Sequence, residues 1–430
     1  MLAQAKAYGY IYGYPITTKN KEPVELGAKA ALVPSLQKLF SQLMPTTPEI
    51  FRAFLHLGVT AFGGLAMIEP MRRRIVAEKK WLDQREFLDG VALCQVVPGA
   101  TVVQLATYIG QRLRGPVGAL AGALGFILPA FLLMLALSWL YVRYGDLSWV
   151  KALSRGLNAV VIALLLQAFW RLGKGIWSQW LDLVVAGLAL VALWLKVNYL
   201  AVFFGAGFLR LALSYGSSGT GNPVAAATPG PEPAHSGIKA LLVIVATCAA
   251  VLGVLWYADP LLARMAGIMI KVGLISFGGG YVMIPVLQWD VVDSLKWLTL
   301  RQFLDGILLG FVTPGPIIIL ATFVGYVLSG VGGAATATVF IFLPPILIVV
   351  ALTPYYQRVK EARWMRPLIQ GVLAALVGML ALVTVQMGSG AITGWKSFAL
   401  MVGAAVSLIV FDLNLLLVIA AAAALSLTMF

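Results

Sequence analysis

The sequence predicts an all-α, polytopic integral membrane protein made of two inverted-topology repeats, with helices broken at Pro-Gly motifs. Three observations carry that reading. Hydrophobic residues make up 60% of the 430-residue chain and charged residues 11%, with a mean hydropathy of +0.92, which lies outside the range of soluble globular domains. Short motifs recur at a constant spacing in the two halves. The loops beside those motifs differ sharply in basic charge, as equivalent loops on opposite membrane faces do.

Residues 1–50 lack the apolar core of a signal peptide and read as a polar or interfacial extension, with a helix expected at Leu32–Leu43. The first repeat, 51–213, carries Phe62-Gly63-Gly64, then Phe87-Leu88-Asp89-Gly90, then Pro98-Gly99. The same order returns as Phe277-Gly278-Gly279, Phe303-Leu304-Asp305-Gly306 and Pro314-Gly315. Trp81 matches Trp297, Gly110 matches Gly325 and Pro129 matches Pro344, always at an offset of 215 or 216, so the halves are copies. Each continues in apolar runs near the roughly 20 residues that cross a bilayer: Ala119–Leu137, Leu153–Leu172, Leu181–Leu195 and Tyr199–Leu213, then Thr336–Leu352, Pro367–Met387, Ser397–Phe411 and Leu413–Phe430. Only helices or closed barrels satisfy their backbone in lipid, and runs of this length fit helices better than alternating strands.

Segment 214–237, built largely from Gly, Pro, Ser and Ala, reads as a flexible linker. The second repeat, 238–430, then opens on Ile238–Tyr257, an apolar helix without a counterpart. One extra crossing inverts the second copy. Arg72–Glu86 holds six Lys/Arg and its counterpart Trp289–Gln302 two, which puts the first loop on the cytoplasmic face.

The formal charge of +14 is scattered over short segments between apolar runs, so topology explains it and no nucleic-acid partner is expected. Cys94, Cys248, His56 and His235 have no metal-ligand or redox spacing. No metal, cofactor or catalytic residue is expected, and the chain does not read as an enzyme. No nucleotide motif of Walker type is present.

The breaks carry the functional signal. Proline removes a backbone donor and frees a carbonyl, and lipid cannot satisfy it. At Thr313-Pro314-Gly315-Pro316, Thr313 suits an N-cap and Pro314 the first helical position. A half-helix starting there points its amino end, about half a positive charge with free N–H donors, into the membrane. Pro98-Gly99 supplies a second such end, and paired broken helices mark substrate sites in many transporters.

Two ends sum to about one positive charge, so a dianion calls for more. Lys271, inside an apolar segment, is the candidate cation, unless it snorkels to the interface. Thr101, Gln104 and Thr322 add neutral donors or act as interhelical glue. Gly63, Gly64, Gly278, Gly279 and Gly280 allow unwinding or close packing. Asp89, Asp305 and Glu69 are candidates for coupling a proton; surface capping is the competing reading for the two aspartates and is favoured for Asp89.

Taken in order, "FGGLAMIEP", "WLDQREFLDG", "VVPGATVVQLATYIG", "FGGGYVMIP" and "TPGPIIILATFVG" make the chain resemble the chromate ion transporter family over residues 51–430. The resemblance implies a multi-pass protein of the bacterial inner membrane that exports chromate, with sulfate as a related oxyanion, driven by a gradient. A transporter of sulfate or another small anion, and a passive anion channel, are the competing readings. The bilayer and the small anion are the expected partners, with a homodimer admitted as the assembly. The family pattern has a second proline where this chain has Ala100, so the two half-sites are not identical.

Overall fold

The computed structural model describes residues 45–60, 67–177, 179–215, 235–276, 280, 283–353 and 365–430. The helix expected at Leu32–Leu43 and most of the linker lie outside them. Every described element is helical. The first repeat runs α1 (Thr47–Thr60), α2 (Ile68–Arg72) continuing as a π-turn Arg73–Glu78, α3 (Gln84–Val96), α4 (Thr101–Tyr144), α5 (Ser148–Lys174), α6 (Trp180–Trp194) and α7 (Tyr199–Tyr215). Next comes α8 (His235–Ala258), which has no counterpart. The second repeat runs α9 (Pro260–Ile275), α10 (Met283–Gln288) with a π-turn Trp289–Ser294, α11 (Leu300–Val312), a 3₁₀ turn Ile317–Ile319 leading into α12 (Leu320–Leu352), α13 (Met365–Ala391), α14 (Trp395–Ile409) and α15 (Leu415–Met429). Four of these, Thr101–Tyr144, Ser148–Lys174, Ile317–Leu352 and Pro367–Ala391, are long and apolar enough to cross a membrane. Helix α1 begins at Thr47, four residues before the expected repeat boundary at 51.

The repeat is written into the backbone as well as the sequence. Left-handed conformations occur in matched pairs: Lys80 (φ 53°) and Lys296 (55°), Gly99 (135°) and Gly315 (104°), Gly115 (62°) and Gly330 (56°), Lys196 (61°) and Asp412 (48°). Helices α3 and α11 open with capping boxes, Asp83 with Glu86 and Thr299 with Gln302. These caps satisfy the first amide donors of each helix. They also displace the capping role considered for Asp89 and Asp305, which sit further along their helices.

Neither α4 nor α12 is one rod. At Arg114-Gly115 and Ser329-Gly330 the backbone leaves helical geometry, and each helix folds back on itself. Residues 101–113 form a return arm and 116–144 a long arm; in the second repeat the arms are 317–328 and 331–352. The arms touch at glycines, because a Cβ on Gly110 would strike the Gly118 carbonyl, and one on Gly325 the Gly333 carbonyl. The return arm also runs back along α3: Tyr108 Oη donates to the Glu86 carbonyl (3.3 Å) and Arg112 pairs with Glu86 (2.7 Å). So α3 and its return arm form a re-entrant hairpin that enters and leaves by one face. The breaks at Pro98-Gly99 and Pro314-Gly315 are the tips of two such hairpins.

The hairpins enter from opposite faces. The outer end of the first lies beside the start of its own long arm, through Glu86 and Arg112. The outer end of the second lies beside the far end of that same long arm and the start of α5, through Tyr141–Asp305 (2.9 Å) and Arg301 to the Lys151 carbonyl. That is the inverted arrangement expected from the loop charges. Helices α5–α7 and α13–α15 pack on one another as a scaffold, and α5 and α13 touch the second hairpin at α11. A buried ion pair, Arg210 Nε to Asp182 Oδ1 at 2.5 Å, locks α6 to α7, and Gln179 Oε1 accepts from the same guanidinium.

A topology test follows. With Cys94 and Cys248 replaced by alanine, a cysteine placed at the exposed Lys80 is labelled by an impermeant maleimide from one face of the membrane and a cysteine at Lys296 from the other. Labelling of both from one face contradicts the inverted arrangement.

Candidate functional site

Each tip is held by backbone geometry and by the other repeat. Gly99 and Gly315 adopt positive φ, which an L side chain tolerates poorly. Space is closed as well: a Cβ on Gly99 would collide with Pro345, and one on Gly315 would lie 2.8 Å from Ala130 Cβ. Pro345 and Ala130 are equivalent positions, offset by 215, on the long arms of α12 and α4. The two tips therefore exchange contacts, each resting on the opposite repeat's long arm, and Ala130 stands halfway along 116–144. The sequence reading brought the two breaks together, and the structure places them across one inter-repeat interface.

The capping detail differs from expectation. Thr313 does not start the second half-helix; it closes α11, its N–H and hydroxyl both bonded to the Leu309 carbonyl (3.0 and 2.7 Å). The next helix starts after Pro316, with the 3₁₀ turn Ile317–Ile319, so Pro314 is a tip residue and not the first helical position. The hairpin geometry also alters the electrostatics. Each tip joins the carboxyl end of one half-helix to the amino end of the next, so the two half-charges largely cancel. The tips therefore carry little net positive charge.

Gln104 organises the first tip. It is fully buried, and its Nε2 donates to the Pro98 carbonyl (2.7 Å) and the Val97 carbonyl (3.4 Å), covering acceptors that the break leaves free. Its Oε1 is buried without a donor among the described residues. The repeat offset drops from 216 to 215 between Gly99 and Leu105, in the stretch that holds Gln104, where the second repeat has only Ile317–Ile319. Four residues of α-helix from Thr101 advance about 6 Å, as do three residues of 3₁₀ helix from Ile317, so the second repeat spans the same length with one residue fewer. Thr101, at the first helical position of the return arm, is buried. Thr322 bonds Thr338 at 2.7 Å and ties the second return arm to its long arm.

The glycine-rich segments adjoin the tips. The Gly99 N–H donates to the carbonyl of Ser276 (2.5 Å), the residue just before Phe277. A Cβ on Gly280 would sit 3.2 Å from Ile317 Cβ and 3.3 Å from the Ile318 nitrogen. Gly63, Gly64, Gly278 and Gly279 lie outside the described residues.

Lys271 is not the unpaired cation that the sequence suggests. Its Nζ lies 2.8 Å from both Asp290 carboxylate oxygens. Asp290 also accepts from Tyr199 Oη at 3.0 Å, and the ammonium sits over the Tyr199 ring. The pair joins α9 to the π-turn after α10 and to the scaffold helix α7. Sequence reading missed Asp290 because it lies 19 residues from Lys271, at no helical period. Its only signal was an acid where the first repeat has Arg74.

The three coupling candidates separate. Glu69 is 67% exposed and pairs with Arg72 at 2.6 Å, and that hydrogen bond holds its carboxyl below the usual range. Asp89 is partly exposed on α3. Asp305 is buried at 4% exposure; one oxygen accepts from Tyr141 of the first repeat, Ser154 and Asn158 of α5 lie beside it, and Oδ1 has no hydrogen-bond partner among the described residues. The described residues contain no group of three metal-ligating side chains.

A double-mutant cycle checks the pair on α9. Lys271→Met and Asp290→Leu each lower thermal stability by stranding a charge, while the double variant recovers part of the loss, with a coupling energy of about 1–3 kcal/mol. Additive losses contradict the pairing.

The family described as chromate transporter matches the chain twice, at residues 48–211 and 263–427; the two segments correspond to the two repeats and leave out α8. Among curated proteins, an uncharacterized transporter of Methanocaldococcus jannaschii is 33% identical over 342 residues, 80% of this chain and 84% of that one. A chromate transport protein of Pseudomonas aeruginosa is 33% identical over 358 residues (79% and 80%), and one of Cupriavidus metallidurans 32% over 347 residues (78% and 81%). No solved structure matches the chain.

Proposed function

The chain belongs to the chromate transporter family, and from that premise we propose that it is a secondary transporter exporting chromate across the inner membrane, driven by a membrane gradient. The observation that carries the site is the reciprocal seating of the tips, Gly99 on Pro345 and Gly315 on Ala130. A tetrahedral oxyanion is held there by backbone N–H donors, between two hairpins that open to opposite faces. Alternating access then needs only that one repeat rock against the other, since each hairpin reaches the shared centre from its own side. Positive-inside charge assigns the Arg72–Glu86 face to the cytoplasm.

Coupling falls to Asp305. Asp305 is buried and shared between the repeats through Tyr141, so gain or loss of a proton there changes a contact between the moving parts. The Glu69 ion pair stays at the surface in this scheme, and the partly exposed Asp89 contributes less.

Transport of labelled chromate in proteoliposomes, with pH gradient and potential set independently, tests both statements. Pro314→Ala, expressed at normal level, lowers the transport rate at least about tenfold, a loss of the order of 1.4 kcal/mol in site stabilisation. Asp305→Asn keeps chromate–chromate exchange and loses the response to a pH gradient. Wild-type behaviour of both variants contradicts the proposal. Chromate flux that never exceeds equilibration, even with a gradient, supports a passive channel instead, and preference for sulfate in a substrate panel supports a sulfate transporter.

A further inference from the structure

On that reading of the site, we infer that the oxyanion is taken in its monoprotonated form, with Gln104 Oε1 accepting the hydrogen bond from its hydroxyl. Two independent features point there. The first is charge. The tips join carboxyl and amino helix ends, so their dipoles largely cancel. Lys271 is neutralised by Asp290, and Arg210, buried in the scaffold, by Asp182. The described side chains seated against the tips, Pro345, Ala130, Gln104, Ser276 and Ile317, are uncharged. Desolvation cost grows with the square of charge, so a dianion in this setting costs roughly four times as much to bury as a monoanion.

The second feature is the acceptor. The orientation of the Gln104 amide is set by its surroundings, because Nε2 faces the Val97 and Pro98 carbonyls and a flipped amide would set oxygen against oxygen. Oε1 is therefore the free end, fully buried and without a donor among the described residues, and a buried acceptor needs one. The amide lies against Gly99, where a Cβ would be 2.8 Å from Nε2 and 3.1 Å from Cδ, so the group that carries this oxygen is part of the tip. Against a fully deprotonated oxyanion it would set lone pair against lone pair. An O–H group satisfies it.

The chemistry makes this a selectivity device. Chromate takes up its proton near neutral pH, whereas sulfate does so only in strong acid, though both are tetrahedral dianions when deprotonated. A site with one acceptor among its donors favours the first over the second without measuring size. The acceptor stands on one tip only, since the second repeat has only Ile317–Ile319 in that stretch.

Equilibrium binding of labelled chromate and of labelled sulfate to the purified full-length protein, across the pH range in which chromate titrates, provides the test. A change of charge on the protein acts on both anions, so the ratio of the two affinities reports the proton on the ligand. For the wild type, chromate affinity relative to sulfate falls as pH rises, in step with loss of the monoprotonated form. Gln104→Met, which also uncovers the Val97 and Pro98 carbonyls, lowers chromate affinity about five- to tenfold more than sulfate affinity, the worth of one hydrogen bond, and flattens the pH dependence of the ratio. A pH-independent ratio in the wild type overturns the inference, as does an unchanged ratio and profile in Gln104→Met. The wild-type arm stands even where the variant fails to insert. Failure of the tip site itself looks different: Pro314→Ala then binds both anions normally, whereas failure of this inference alone leaves Pro314→Ala defective with a flat wild-type profile.

Discussion

A polypeptide cannot break its helix inside a membrane unless protein satisfies the freed backbone groups, and the arrangement of this molecule follows from that constraint. Prolines interrupt the chain at both tips, and several of the released groups have partners: Gln104 covers the Val97 and Pro98 carbonyls, Ser276 takes the Gly99 N–H, and Thr313 closes the end of α11. Most of these partners come from neighbouring turns, but one comes from the other repeat. The tips themselves rest on the opposite long arms. Breaking the helices therefore ties the two repeats together at the place where they are broken.

The repeats share a plan and differ where the differences matter. The 216-to-215 slip around Gln104 adds a polar amide to one tip and leaves the other apolar, with a 3₁₀ turn making up the length. Pro345 stands opposite Gly99, while Ala130 stands opposite Gly315. Arg74, paired with Glu78 in the first repeat, becomes Asp290, paired with Lys271, in the second. The last change follows from inversion, since equivalent loops face opposite sides and only one collects basic charge. The first two make the two tips unlike each other.

Much of this was legible in the sequence. The paired motifs at nearly constant offset gave the two copies, the loop charges gave the inversion, and the Pro-Gly motifs gave the two helix breaks. The re-entrant hairpins were not legible, because an apolar run that crosses and one that returns have the same composition. The signal lay in Arg114-Gly115-Pro116 and Ser329-Gly330, turn residues inside otherwise helical runs, which match each other at the repeat offset. Missing the turn led to counting only amino ends at the tips, and so to asking for a cation. Lys271 met that need on paper and is occupied by Asp290 in three dimensions, a pairing at no sequence period.

The account rests on the oxyanion sitting where the two tips meet between the repeats. Equilibrium binding of chromate to the purified Ala130→Val variant tests this most directly, because that position contacts the second tip from the opposite repeat and carries no polar group of its own. Loss of affinity by about tenfold or more, with thermal stability retained, is the predicted result. A folded variant that binds chromate as the wild type does would contradict the account.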